Sequence, residues 1–178
     1  DNSPTSYWAY KISKNLFWLG MAGMFADWFI PKDLIEQFRK EYPGYVKEDL
    51  PTPGHAYFET KIGELSILLS FCMKGKVAKV RECIDNLEKI EKPEEILEQT
   101  SELGTFVWNH YSKGKKEYDK LLNEALEQQK KNPKAPIFYF SYTAATNSYS
   151  SLLSTHLAHL LKDKVIMVAR VKYGDTIM

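Results

Sequence analysis

The chain of 178 residues carries 24 Lys and Arg against 23 Asp and Glu. That balance, a formal net charge of +1, excludes the strong overall field of a basic nucleic-acid coat or an acidic tail. With 44% hydrophobic and 26% charged residues the composition is globular, and the length suffices for a buried core in one domain or two small ones. The two cysteines, Cys72 and Cys83, make neither a disulfide framework nor a zinc pattern, so reduced thiols of a cytoplasmic protein are expected.

In chain order, Asn2-Ser3-Pro4 reads as a helix start, with Ser3 capping and Pro4 in the first turn. A helix with Tyr7, Trp8, Tyr10 and Ile12 runs to about Ser13. Residues 16–28 follow as a mostly buried helix. There Gly20, Ala22, Gly23 and Ala26 open room for another backbone, and Asp27 is the lone carboxylate. The run over 16–30 is too short and interrupted to span a bilayer and lacks the basic front of a signal peptide. An ionised Asp inside apolar surroundings needs a partner or a metal. Asp27 therefore either ends the helix at the surface, or satisfies backbone donors, or is a buried metal ligand. Pro31 starts a further helix to about Tyr42, with Leu34, Ile35 and Phe38 on one face, and Pro43-Gly44 ends it.

Residues 43–54 hold three prolines and two glycines and read as a loop. Helical periods return over 60–73 (Ile62, Leu65, Leu68, Leu69, Cys72) and, after Gly75, over 76–90 (Val77, Val80, Ile84, Leu87). Pro93 opens a short helix with Ile96 and Leu97. A long helix spans about 101–131, with Gly104 or Gly114 as an interruption. Its lysines at 113, 115, 116, 120, 130 and 131 alternate with Glu117, Asp119, Glu124 and Glu127, the pattern of a solvated face rather than a nucleic-acid patch. The aromatic residues Tyr7, Trp8, Tyr10, Phe17 and Trp18 are expected in the core rather than as a base-stacking platform.

The pattern then changes. Residues 136–142 are β-branched and aromatic, residues 143–147 form a loop, and residues 148–161 make an amphipathic helix with Leu152, Leu153, Leu157 and Leu160. Residues 165–171 are a near-continuous apolar run suited to a buried strand. Residues 172–175 turn into a last strand that stops as it begins. The tail is thus a β-α-β unit plus the opening of a hairpin. A chain that opens without Met and ends on a beginning strand is expected to be a piece of a longer protein. The four histidines are scattered; His156 and His159 share a helix face but lack a third ligand at metal spacing, so surface histidines are expected. No phosphate loop, dinucleotide fingerprint or nucleophile elbow is present.

Three stretches carry a resemblance when read together. Ser3-Pro-Thr-Ser-Tyr7 opens a helix, and Gly20-Met-Ala-Gly-Met-Phe-Ala-Asp-Trp28 follows. Far downstream, Ser148-Tyr-Ser-Ser-Leu-Leu-Ser-Thr-His-Leu-Ala158 leads into Lys164-Val-Ile-Met-Val-Ala-Arg-Val171 and Gly174-Asp175. This order resembles the DHH/DHHA1 phosphoesterase superfamily in its RecJ-like, archaeal-type branch. The resemblance implies an α/β fold in three segments: residues 1–45 as the end of a catalytic domain, 46–134 as a helical connector, and 135–178 as the start of a DHHA1-like domain. It implies that Asp27 is a carboxylate ligand of Mn²⁺ or Mg²⁺, a pair of ions in the full-length protein, and that Ser3 and Thr5 lie near substrate phosphate. The implied activity is phosphodiester hydrolysis on single-stranded nucleic acid or short oligonucleotides, away from membranes. The Asp-His-His and Gly-Gly-His motifs of the family are missing from these residues, so this segment alone is expected to be inactive. The alternatives are a non-catalytic helical interaction module, or a RecJ-like protein that has lost its catalytic residues.

Overall fold

The computed structural model describes residues 3–143, 147–172 and 175–177. It is a chain of mixed helix and strand in two compact units, residues 1–111 and 112–178. The division falls inside the long helix, whereas the segments implied by the resemblance meet near residues 45 and 134.

In the first unit everything packs around α2 (Phe17–Ala26), which buries Phe17, Trp18, Met21, Ala22, Met24 and Phe25. A helix apolar on nearly every side must be enclosed by others. The antiparallel α1 (Thr5–Ser13) reaches it where side chains are smallest, with Tyr10 packed against Gly20 and Ser6 against Gly23. On another side lies α5 (Lys61–Cys72), whose buried Ser66 points its hydroxyl at the Ala22 carbonyl, 2.7 Å away. Trp18 is wholly buried, yet its indole N–H is satisfied by the Glu91 carbonyl at 3.1 Å. Around this centre stand α3 (Ile35–Glu41), α6 (Val77–Leu87) and the short α7 (Glu94–Leu97). Leu34, Ile35 and Phe38 are buried as their spacing predicts, and so are Tyr10, Phe17 and Trp18, whereas Trp8 and Ile12 face solvent.

The loop expected over 43–54 ends earlier, because α4 (Pro53–Phe58) begins at Pro53. Proline and glycine break a helix interior but are tolerated in its first turn, where amide hydrogens lack intrahelical acceptors. Thr60 then joins two helices. Its hydroxyl donates to the Ala56 carbonyl and accepts from the Gly63 amide at 3.1 Å, capping α5.

The long helix α8 (Glu102–Lys131) is continuous, so neither Gly104 nor Gly114 interrupts it. Gly104 serves a different purpose. A Cβ built there would lie 1.8 Å from the Glu95 carbonyl oxygen, so the glycine admits another backbone. The charges of its solvated face pair within the helix, as Lys115–Asp119, Lys120–Glu124 and Lys130–Glu127.

In the second unit β1 (Ile137–Thr143) and β2 (Val165–Lys172) pair in parallel, Ile137 beside Val165 through Thr143 beside Val171. The crossover is α9 (Ser150–Leu160), and β3 (Asp175–Ile177) adds antiparallel to β2. Phe138, Phe140 and Tyr142 on one face are buried with Leu153 and Leu157 of α9. The expectation of a fully buried β2 is corrected here. Val165 and Met167 are 61% and 46% exposed, beside exposed Ile137 and Tyr139. One crossover helix covers one face of a parallel pair, and the opposite face stays bare. The middle of the 143–147 loop and of the 172–175 turn lies outside the described residues.

Gly63 and Gly104 generate a test. Each would drive a new Cβ into a carbonyl, the Tyr57 oxygen lying 2.1 Å from the position at Gly63. Glycine-to-alanine changes inside exposed helices ordinarily stabilise by about 0.5–1 kcal/mol. Gly63→Ala and Gly104→Ala are expected instead to destabilise by about 2 kcal/mol or more, read by urea unfolding. Unchanged midpoints would mean that these backbones separate at little cost.

Candidate functional site

Asp27 follows the last turn of α2 and is exposed, so the structure places it at the surface end of the buried helix. The turn that presents it is a Schellman motif. Phe29 N–H bonds the Met24 carbonyl at 2.9 Å and Trp28 N–H bonds that of Phe25 at 3.0 Å. The residue that must adopt the left-handed conformation in such a turn is usually glycine, but here it is Trp28, at φ 58°. A bulky side chain there stores strain, which the packing around it has to hold. The Trp28 ring, 41% exposed, rests against Tyr57 and Phe58 with centroids 6.3 and 6.4 Å away.

Because α1 and α2 run antiparallel through their small residues, the first turn of α1 arrives beside this carboxylate. Ser6 Oγ donates to Asp27 Oδ2 at 3.2 Å. Thr5, next to Ser6, starts α1 and is exposed. Ser3 is not the residue at the helix boundary: Pro4 occupies the N-cap position with no side-chain cap, one residue later than the sequence predicts. Sequence reading missed Ser6, although a small residue one helical turn before Tyr10, facing a helix with Gly20 and Gly23 a turn apart, was the available signal.

A second carboxylate stands nearby in a different state. Asp33 Oδ2 accepts from Tyr7 Oη at 2.9 Å and Lys11 Nζ at 3.0 Å. Burial pushes its carboxyl pKa up, but the bonds from Lys11 and Tyr7 outweigh that and hold it below the usual value. Asp33 is thus engaged by a cation. Among the described residues Asp27 makes one hydrogen bond and no ion pair, leaving oxygen lone pairs directed at solvent. It fits a hard divalent cation as one oxygen ligand. Among the described residues it joins no group of three or more metal-binding side chains.

In the second unit the polar residues cluster where α9 begins. The Tyr142 hydroxyl accepts from the Tyr149 backbone N–H at 2.7 Å and lies 3.1 Å from Ser150 Oγ. Tyr149 Oη donates to Glu117 at 2.8 Å, and burial together with this carboxylate pushes its phenol pKa up to about 12. His156 is not a plain surface histidine: it stacks parallel to Tyr118, with Nδ1 2.8 Å from its hydroxyl. Burial, and then His159 and Lys115, push its pKa down to about 4, against a small opposing pull from Asp119. The network orders the strand–helix junction.

Comparison with protein-family models, with curated proteins and with solved structures gave no match to this chain.

His156 yields a pH prediction. Its folded pKa of about 4 lies below the 6.5 of an ordinary histidine. Between those values the unfolded chain takes up a proton that the native state refuses, so this contribution to stability falls as pH drops from about 6.5 and levels near 4. For a ring that is not fully enclosed the loss is about 1–2 kcal/mol. Urea unfolding at pH 7 and pH 4.5 is expected to show a smaller acid loss in His156→Gln than in the wild type. Equal losses would assign the acid sensitivity to the carboxylates.

Proposed function

We propose that this chain belongs to a metal-dependent phosphodiesterase of the DHH/DHHA1 type, acting on single-stranded nucleic acid or short oligonucleotides. The observation that carries the reading is the carboxylate of Asp27. A strained turn presents it to solvent with no cation paired to it among the described residues, while Asp33 is neutralised by Lys11. A protein that needed this position only to end a helix would be better served by glycine or asparagine after it than by a left-handed tryptophan. The order of elements agrees with the resemblance: a helix start beside the acidic residue, a helical stretch, then a β-α-β unit.

In this reading Asp27 is one oxygen ligand, positioned by Ser6, for Mn²⁺ or Mg²⁺. When bound, a pair of such ions supplies an activated water and stabilises the charge of phosphodiester cleavage. The first turn of α1, with Thr5 at its start, offers backbone amide hydrogens to a phosphate oxygen. The half-exposed Trp28 ring is a surface on which a base can stack. This reading requires further ligands besides Asp27, which joins no group of three metal-binding side chains among the described residues.

The bare sheet face of Ile137, Tyr139, Val165 and Met167 favours a second reading, an interaction module in which Asp27 is only structural. The two readings separate on the encoded sequence flanking this segment. Aspartate motifs with Asp-His-His upstream and Gly-Gly-His downstream support the enzyme, and their absence removes it. In the polypeptide that carries those motifs, Mn²⁺-dependent release of mononucleotides from a single-stranded oligonucleotide is expected to fall at least about 100-fold in Asp27→Ala. The Asp27→Ala melting curve is expected to match the wild type. Full activity in that variant would exclude Asp27 from the site.

A further inference from the structure

The turn joining α5 to α6 gathers charge of one sign. Between Glu64 and Glu82 the sequence holds four cations, Lys74, Lys76, Lys79 and Arg81, and no acid. The structure sets them among exposed apolar side chains. Met73, the C-cap of α5, is 62% exposed, and Val77, the first residue of α6, is 68% exposed. Lys76, Lys79 and Arg81 are exposed beside them, and Lys74 is half-buried. The apolar stripe of α6 accounts for the projection. Cys83 and Leu87 are buried and Val80 and Ile84 half-buried, so four side chains seat the helix, and the stripe runs past the body at Val77.

This turn is braced from behind. The Lys74 carbonyl lies 3.3 Å from His110 Nε2 of α8, and the Lys79 ammonium stands over the Phe106 ring at 5.7 Å. Glu82 offsets one of the four charges through Lys79, at 2.6 Å. The Asp27 corner is at the other end of α5. Trp28 packs on Tyr57 and Phe58, just before α5, and the Tyr57 carbonyl approaches Gly63 in its first turn. Twelve helical residues, about 18 Å, separate that end from the turn.

We propose that the α5–α6 turn is a peripheral docking point for an anionic phospholipid surface. Met73 and Val77 enter the headgroup boundary, while Lys76, Lys79 and Arg81 meet lipid phosphates and carboxylates. Apolar side chains projecting among cations match the layers of such a surface, anionic groups outside and hydrocarbon beneath. A nucleic-acid strand offers phosphates to the cations but nothing to Met73 and Val77, and residues 73–81 include no aromatic ring on which a base stacks. A strand held at Asp27 would also have to run the length of α5 to reach this turn. Docked by the turn, the protein keeps the Asp27 corner at its far end, open to solvent.

The test is cosedimentation of the whole chain with two vesicles, phosphatidylcholine alone and phosphatidylcholine mixed equally with phosphatidylserine. Binding is expected on the mixed vesicles only, and it is expected to fall as salt is raised. Met73→Ser with Val77→Ser is expected to weaken it at least about 10-fold. Lys76→Gln with Arg81→Gln is expected to weaken it about 30-fold. All four side chains are exposed, so both pairs of substitutions are expected to melt with the wild type. No binding to either vesicle, binding that ignores lipid charge, or anionic binding that survives the serine pair would overturn the proposal. A single-stranded oligonucleotide bound through Lys76 and Arg81 in place of vesicles would assign the turn to nucleic acid and overturn it as well.

Discussion

The enclosure of α2 is the constraint on which the first unit depends. A ten-residue helix with six buried side chains has to be enclosed over most of its surface, and its neighbours approach where its side chains are small. Gly20 and Gly23 receive α1, and the Ala22 carbonyl receives the Ser66 hydroxyl of α5. A backbone carbonyl buried by such an approach needs a donor, and a short hydroxyl supplies one without the volume of an amide. The geometry at Asp27 follows from the same packing. The antiparallel contact of α1 puts Ser6 within hydrogen-bond distance of a carboxylate that lies 21 positions away in sequence.

Much of this was legible because helical periodicity reports burial directly. The apolar spacing of residues 60–73 and 101–131 anticipates α5 and α8 to within about a turn, and the β-branched run at 136–142 anticipates β1. What escaped has physical reasons. The composition of residues 43–54 says loop, but proline and glycine carry opposite meanings in the first turn of a helix and in its interior, so α4 was hidden. The run at 165–171 is as apolar as a buried strand, yet burial depends on what covers a face, and the residues of the strand carry no record of that. His156 is read by its neighbours, and Tyr118 lies 38 positions earlier on another helix.

The Asp27 corner shows the same division. That a charge in an apolar helix must escape or be satisfied was clear from the sequence, and it escapes at the helix end. That no cation among the described residues pairs with it was not legible, because the distinction from Asp33 rests on where Lys11 and Tyr7 reach in space. The left-handed Trp28 was equally invisible, since nothing in a tryptophan advertises that conformation. These two facts, one electrostatic and one conformational, separate the corner from ordinary surface.

The junction of β1 and α9 has a consequence for how sequences of this kind vary. The amide that opens α9 bonds not to a serine or aspartate just before the helix but to the phenol of Tyr142, on the preceding strand. The duty of starting the helix has been moved out of the connecting residues and into the sheet. Substitution in the connection is thereby freed from the usual capping vocabulary, while a tyrosine-to-phenylalanine change in a strand, ordinarily mild, would leave a buried amide with no acceptor. Among related chains the trace of this helix start would be a retained strand tyrosine, found seven residues before the place where a cap is normally sought.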